Sequence, residues 1–247
     1  MKVIGIIPAR FGSSRFPGKP LELISGKPMI VRVYERAEKA HCWDKLVVAT
    51  DDQRIKKVIE DIGGTALMTS KDHSTGTDRI AEACQRLNLD HEDLVVNIQG
   101  DEPLLPYNAI RNLAKTFRNR AFEASMGTLA YRSSNREEFY DKNVVKVVTD
   151  TEDYALYFSR SPIPFKRDSD LKDLQFLKHL GFYIYTVAFL YLFRQLPQGY
   201  LERIEKLEQL RTLENGYKIK VMLSEEDSHG VDTPEDLARV EKYIKNE

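Results

Sequence analysis

Short apolar, β-branched runs alternate along the first half of the chain with stretches whose apolar positions recur every three or four residues. Residues 3–7 read as a central strand and 29–39 as a helix, with Pro28 suited to its first turn. A strand at 46–49 runs into Thr50-Asp51-Asp52, where either aspartate can cap a helix reaching 62. Strands at 65–68 and 94–98 and helices at 78–87 and 108–118 continue the alternation. The second half mixes strands at 126–131, 144–149, 180–185 and 219–223 with helices at 187–196 and 201–215, Gly216 closing the latter. Thr233-Pro234-Glu235-Asp236 supplies a cap, a first-turn proline and an acidic first turn for a last helix to about 245. Near-continuous apolar strands between amphipathic helices predict an α/β fold, a mostly parallel central sheet with helices on both faces. One unit over 1–247 is expected, with a smaller inserted α+β subregion within about 105–215.

Composition narrows the partners. The chain has 247 residues, 42% hydrophobic, and 37 Lys+Arg against 38 Asp+Glu. That balance argues against a nucleic-acid binder, which normally shows a basic excess or stripe. Cys42 and Cys84 are too few for a disulfide scaffold or a cysteine-rich zinc site, and fit a cytoplasmic protein. The opening Met1–Pro8 stretch is too short for a secretory signal. The longest uncharged run, 180–193, falls short of the about 20 residues a spanning helix needs.

In an open α/β sheet, ligands bind beyond the carboxyl ends of the strands. The segment from Pro8 to Lys19 lies there, with Arg10, Arg15 and Lys19 beside Gly12 and Gly18. Glycines let backbone N–H groups approach an anion and the cations neutralise it, so the segment suits a polyphosphate; a solvated basic loop is the plainer reading. It is no Walker A loop, because five residues separate the glycines and Pro20 follows Lys19. Gln99-Gly100-Asp101-Glu102-Pro103 puts a carboxylate at the end of a buried strand, placed to hold Mg²⁺ or simply to close a turn. Asp232 either joins that carboxylate or only favours the dipole of the helix behind it. His73 to Arg79 reads equally as a ligand loop or as a helix start. Arg160, His179, Tyr183, Glu208 and Gln209 offer a cation, an imidazole, a phenol, a carboxyl and an amide suited to a hydroxylated acid, though singly each also reads as structural.

Together these blocks resemble the 3-deoxy-manno-octulosonate (Kdo) cytidylyltransferases, the CMP-Kdo synthetases of lipopolysaccharide biosynthesis, across essentially the whole chain. The resemblance rests on Ile7-Pro8-Ala9-Arg10 through Leu21, Val48-Ala49-Thr50-Asp51, Gly76-Thr77-Asp78-Arg79, and Asn97 through Pro103. It extends to Tyr157-Phe158-Ser159-Arg160, Lys178-His179-Leu180-Gly181, Leu207-Glu208-Gln209-Leu210-Arg211 and Gly230 through Asp236. It implies a Rossmann-like nucleotidyltransferase fold, a homodimer, and CTP, Mg²⁺ and an acidic eight-carbon sugar as ligands. By the same resemblance Ala9, Arg10, Arg15, Lys19, Ser74 and Arg79 contact the nucleotide, and Asp101 and Asp232 hold the metal. Gln99, Arg160, His179, Tyr183, Glu208 and Gln209 then surround the sugar, and Arg10, Lys19, Asp101 and Asp232 carry the catalysis. Two positions speak to the sugar. Thr186 stands where the Kdo enzymes commonly have arginine and resembles the enzymes for 8-amino-3,8-dideoxy-manno-octulosonate, whereas Glu102 follows the Kdo pattern. Other readings are a sialic-acid cytidylyltransferase and, in a different class, a nucleotide sensor without catalysis.

Overall fold

The computed structural model describes residues 1–12, 16–119, 123–167 and 174–246. The first half comprises β1 (Val3–Ala9), a 3-10 turn (Lys19–Leu21), β2 (Leu23–Ile24), β3 (Lys27–Pro28), α1 (Met29–Glu38), β4 (Lys45–Thr50) and α2 (Gln53–Glu60). There follow β5 (Ala66–Met68), α3 (Gly76–Arg86), β6 (Leu94–Asn97), α4 (Tyr107–Arg118), β7 (Met126–Ser133) and α5 (Arg136–Tyr140). The rest is β8 (Lys146–Thr149), β9 (Ala155–Ser159), β10 (Phe176–Thr186), α6 (Val187–Gln195), α7 (Tyr200–Glu205), α8 (Leu210–Glu214), β11 (Ile219–Ser224) and α9 (Pro234–Asn246).

The main sheet runs β11-β7-β10-β6-β1-β4-β5, with β8 branching from β10 and β9 from β8. Pairs β6–β1, β1–β4, β4–β5 and β7–β11 are parallel, and β10 runs against both β6 and β7. The sheet is therefore mostly parallel, as the apolar runs predict. Alternate residues of the central strands feed opposite faces, which is why those strands are apolar throughout. Ile7, Val48 and Val96 pack with Val33, Ile55 and Ile110 of α1, α2 and α4. Ile6, Ala49 and Val95 pack with Ile80, Leu190 and Leu210 of α3, α6 and α8. A smaller cluster of Ile24, Met29, Leu104, Val231 and Val240 seats α9 beside β2.

Two departures from the periodicity shape the site. The helix predicted at 201–215 is two helices, because Lys206 adopts φ 56 and ψ 46. Glu214 of α8 accepts from the backbone N–H groups of Leu201 and Glu202 at 2.8 and 3.1 Å, capping α7 from outside. Arg211 meets Glu202 in a two-pronged ion pair at 2.6 and 2.8 Å. Folding α8 back on α7 in this way leaves Leu207-Glu208-Gln209 in the break. The strand predicted at 180–185 extends over Phe176–Thr186, and its register shifts between His179 and Tyr183, where Gly181 takes φ 74.

Candidate active site

The ends of β1, β4 and β6 lie side by side, Ala9 opposite Thr50 and Ile6 opposite Asn97. A cleft of about 230 Å³ opens above them, lined by Ala9, Arg10, Lys19, His73, Gly76, Arg79, Gln99, Asp101 and Asp232. Gly100 lets the turn after β6 press on β1: a Cβ there would lie 2.7 Å from the Pro8 carbonyl oxygen. Asp101 is thereby brought over the sheet edge. Lys19, on the 3-10 turn that left-handed Gly18 opens, donates from Nζ to Asp101 Oδ2 at 2.7 Å, Val231 O at 2.7 Å and Asp232 Oδ1 at 3.3 Å. Two carboxylates from distant segments thus converge on one cation. An all-oxygen pair that leaves room for substrate phosphates suits Mg²⁺. Among the described residues no group of three or more His, Cys, Asp or Glu side chains has a metal-holding arrangement.

The nucleotide-side residues do not all behave as the resemblance implies. Arg10 is exposed and lines the cleft. Arg79 also lines it, but its guanidinium, 2% exposed, is held by Asp51 Oδ2 at 2.9 Å, Thr69 Oγ1 at 2.5 Å and Ser70 O at 3.2 Å. It anchors α3 to the end of β4 rather than offering an open charge. Ser74 points away from the lining, with Oγ 3.4 Å from Asp78 Oδ2, while His73, Thr75 and Gly76 take the wall. Arg15 lies outside the described residues.

A larger hollow of about 890 Å³ adjoins the cleft and shares Gln99 and Asp232 with it. Glu102, Lys178, His179, Tyr183, Leu207 and Gln209 are among its walls. Gln99 Nε2 donates to Gly181 O at 3.0 Å, across the β10 irregularity. Thr128 Oγ1 donates its one hydrogen to Phe182 O at 2.7 Å, so the 2.8 Å contact with His179 Nε2 uses an imidazole N–H. His179 is packed between Phe158 and Tyr183, and burial pushes its pKa down to about 3. It is a neutral imidazole with Nδ1 left to accept. Burial raises the Tyr183 phenol as well, with the Glu208 carboxylate adding to the effect.

Two of the sugar-side candidates lie off the wall of this hollow. Glu208 is not on the wall of the hollow: its Oε2 accepts from Thr77 Oγ1 at 2.7 Å, tying the α7–α8 break to the first turn of α3. Arg160 is also off the wall, because Nε donates to Glu205 O at 2.7 Å, NH1 to Lys142 O at 3.0 Å and NH2 to Lys206 O at 3.4 Å. Thr186 pairs with Leu94 at the start of β6 and caps α6 by accepting from Phe189 N at 3.1 Å. That is the opposite end of the sheet from the Tyr183–Asn97 pair. Glu102, in contrast, lies inside the hollow, its Oε2 accepting from Ser228 Oγ at 2.5 Å. Burial and then the neighbouring Asp101 charge push its pKa up to about 8. Sequence reasoning gave no role to Glu138, Asp227 or Ser228, and grouped Lys178 with His179 and Tyr183 as suited to a hydroxylated acid, whereas its ammonium is held by Glu138 and Asp227.

Comparison with known proteins places this geometry among relatives. The family model described as Cytidylyltransferase matches residues 4–219. The 3-deoxy-manno-octulosonate cytidylyltransferase of Syntrophobacter fumaroxidans is 55% identical over 240 residues, 97% of this chain and 96% of that one. The 8-amino-3,8-dideoxy-manno-octulosonate cytidylyltransferase of Shewanella sp. strain W3-18-1 is 52% identical over 244 residues, 99% of each. A solved CMP:2-keto-3-deoxy-manno-octonic acid synthetase complexed with CTP superposes with a TM-score of 0.91 at 40% identity, covering 100% of this chain and 99% of that one.

Proposed function

The chain belongs to the cytidylyltransferase family, and we propose that it transfers CMP from CTP to Kdo, releasing pyrophosphate and making CMP-Kdo for lipopolysaccharide biosynthesis. The observation that carries this reading is the convergence of Lys19, Asp101 and Asp232 where a cleft of strand-end loops meets a second, larger hollow.

CTP takes the cleft, with its triphosphate along Ala9, Arg10 and Lys19, and Arg15 of the same segment completes the basic set. The anomeric hydroxyl of the sugar attacks the α-phosphorus in line with the departing pyrophosphate, a reaction that rests on positioning and charge neutralisation. Arg10 and Lys19 neutralise the charge that grows on pyrophosphate. Lys19 leaves the carboxylates to do so, and Asp101 and Asp232 then face the metal. Asp101 and Asp232 would hold Mg²⁺, whose chemistry there would be Lewis acidity toward the attacking hydroxyl. In the hollow Gln99, His179, Tyr183 and Gln209 position the sugar, His179 accepting from a hydroxyl through Nδ1. Arg160 and Glu208 hold the walls rather than the ligand.

The 8-amino sugar is the second reading, favoured by 52% identity to an enzyme named for it. The two are separated by pyrophosphate release from CTP and Mg²⁺ with each sugar side by side. Faster turnover of Kdo is expected; preference for the amino sugar moves the chain to the sister activity, and silence with both overturns the enzyme reading.

The chain works as a homodimer in the cytoplasm on this reading, with the subregion at about 105–215 supplying both the sugar walls and the dimer face. Leu156, Phe165, Tyr200 and Ile204, exposed by 62, 83, 65 and 65%, support that face. Glu205 connects its elements by accepting from Ser159 Oγ at 2.5 Å and Arg160 N at 2.9 Å. Cys42 and Cys84 are both free thiols, which suits a reducing compartment.

A further inference from the structure

Asp232 reaches Asp101 from a segment, 227–232, that has no regular secondary structure of its own. Its position comes from contacts with other segments, and the structure shows a series of them. Lys178 on β10 is 8% exposed and places Nζ between Glu138 Oε1 at 2.7 Å and Asp227 Oδ2 at 2.9 Å. One residue on, Ser228 Oγ donates to Glu102 Oε2 at 2.5 Å. Gly230 follows, and a Cβ on it would lie 2.8 Å from Glu102 Oε1, so the chain passes close to the Glu102 carboxyl there. Val231 N then donates to Asp101 O at 2.9 Å.

We infer that Lys178, Ser228 and Glu102 form a clamp that sets the distance between Asp232 and Asp101, and so governs how tightly the pair holds a divalent cation. The inference rests on the reading of Asp101 and Asp232 as the metal-holding carboxylates. The clamp is built from both ends. Glu102 is covalently next to Asp101, while Asp227 and Ser228 lie just ahead of Asp232, so each bond crosses from one limb of the pair to the other or to the sheet beneath. A largely buried ammonium shared by two carboxylates is a stiff anchor, because losing it leaves two neighbouring acids without the cation that offsets their charges. All three residues also face the sugar hollow, which gives the rival role: direct contact with the sugar.

The two roles separate in a binding measurement without turnover. Mn²⁺ is titrated into the protein with CTP and no sugar, and followed by the enhancement of water-proton relaxation that distinguishes the ternary complex from Mn²⁺–CTP. Ser228→Ala, which removes one hydroxyl, is expected to weaken Mn²⁺ binding by up to about 10-fold, the lower end of the loss when a group bonded to a ligand itself is changed. Lys178→Met is expected to weaken it at least as much and Lys178→Arg to restore part of it, with circular dichroism reporting on folding. In turnover assays the Mg²⁺ half-saturation rises with the same rank order while the KM for sugar moves less. Wild-type Mn²⁺ affinity in Ser228→Ala, or a rise confined to the sugar KM, overturns the clamp. Asp101→Asn serves as the control: if it too binds Mn²⁺ as the wild type does, the metal reading itself has failed.

Discussion

His179 shows how much chemistry one neighbour can settle. Its Nε2–H is committed to Thr128, whose own hydrogen goes to Phe182 O, so the ring meets a ligand only through Nδ1. Because burial holds its pKa at about 3 against an ordinary 6.5, the unfolded chain takes up this proton well before the folded one. The group therefore contributes stability that is complete above pH 6.5 and is lost progressively as pH falls towards 3. NMR of the imidazole is expected to show no titration from pH 5 to 8, with the Nε2–H tautomer throughout; a midpoint near 6.5 would contradict the packing. Arg160 makes a contrasting case. Its residue type suggests an anchor for a sugar carboxylate, yet its guanidinium joins three backbone carbonyls and braces the α7–α8 break.

At the scale of elements, the break at Lys206 is the feature that positions Glu208 and Gln209. A non-glycine residue at φ 56 is strained, so Lys206→Gly is expected to stabilise the fold by up to about 1 kcal/mol in urea denaturation. Lys206→Val, β-branched, should destabilise it by a similar or larger amount and raise the KM for sugar by displacing Gln209. Equal stability in both variants would mean that the break is not set by this residue. The same region marks the limit of what the sequence discloses. Central strands such as β1, β4 and β6 are legible because burial on both faces demands unbroken apolar runs. The helix predicted at 201–215 misleads because most residues in it are fair helix formers, and the left-handed turn at Lys206 is held by Glu214, Arg211 and Arg160 reaching across space. Likewise Lys19, Asp101 and the Gly100 turn are legible as strand-end residues, whereas Ser228 and Glu138 gain their place only through long-range partners. Thr186 is the reverse case: a residue type that speaks to the sugar, at a position that the antiparallel course of β10 carries to the far end of the sheet.

At the scale of the whole molecule, the sheet does the organising. Parallel strands β1, β4 and β6 bring their carboxyl ends together for the nucleotide, and the reversed β10 delivers Lys178, His179 and Tyr183 to the same end from the other direction. No helix among the described residues is long and apolar enough to cross a membrane. The exposed residues on β9, α7 and the loop at Phe165 predict association: light scattering should give twice the chain mass, and Ile204→Asp with Leu156→Asp should give monomers. A double variant that stays dimeric would move the interface elsewhere.

The central claim is that Asp101, met by Lys19 and Asp232, is the working carboxylate of CMP transfer. Pyrophosphate release from CTP, Kdo and Mg²⁺, compared between wild type and a folded Asp101→Asn protein, tests it most directly. Release is expected from the wild type only when sugar is present, with a loss of about 100-fold or more in the variant. Near-normal turnover in Asp101→Asn would contradict it.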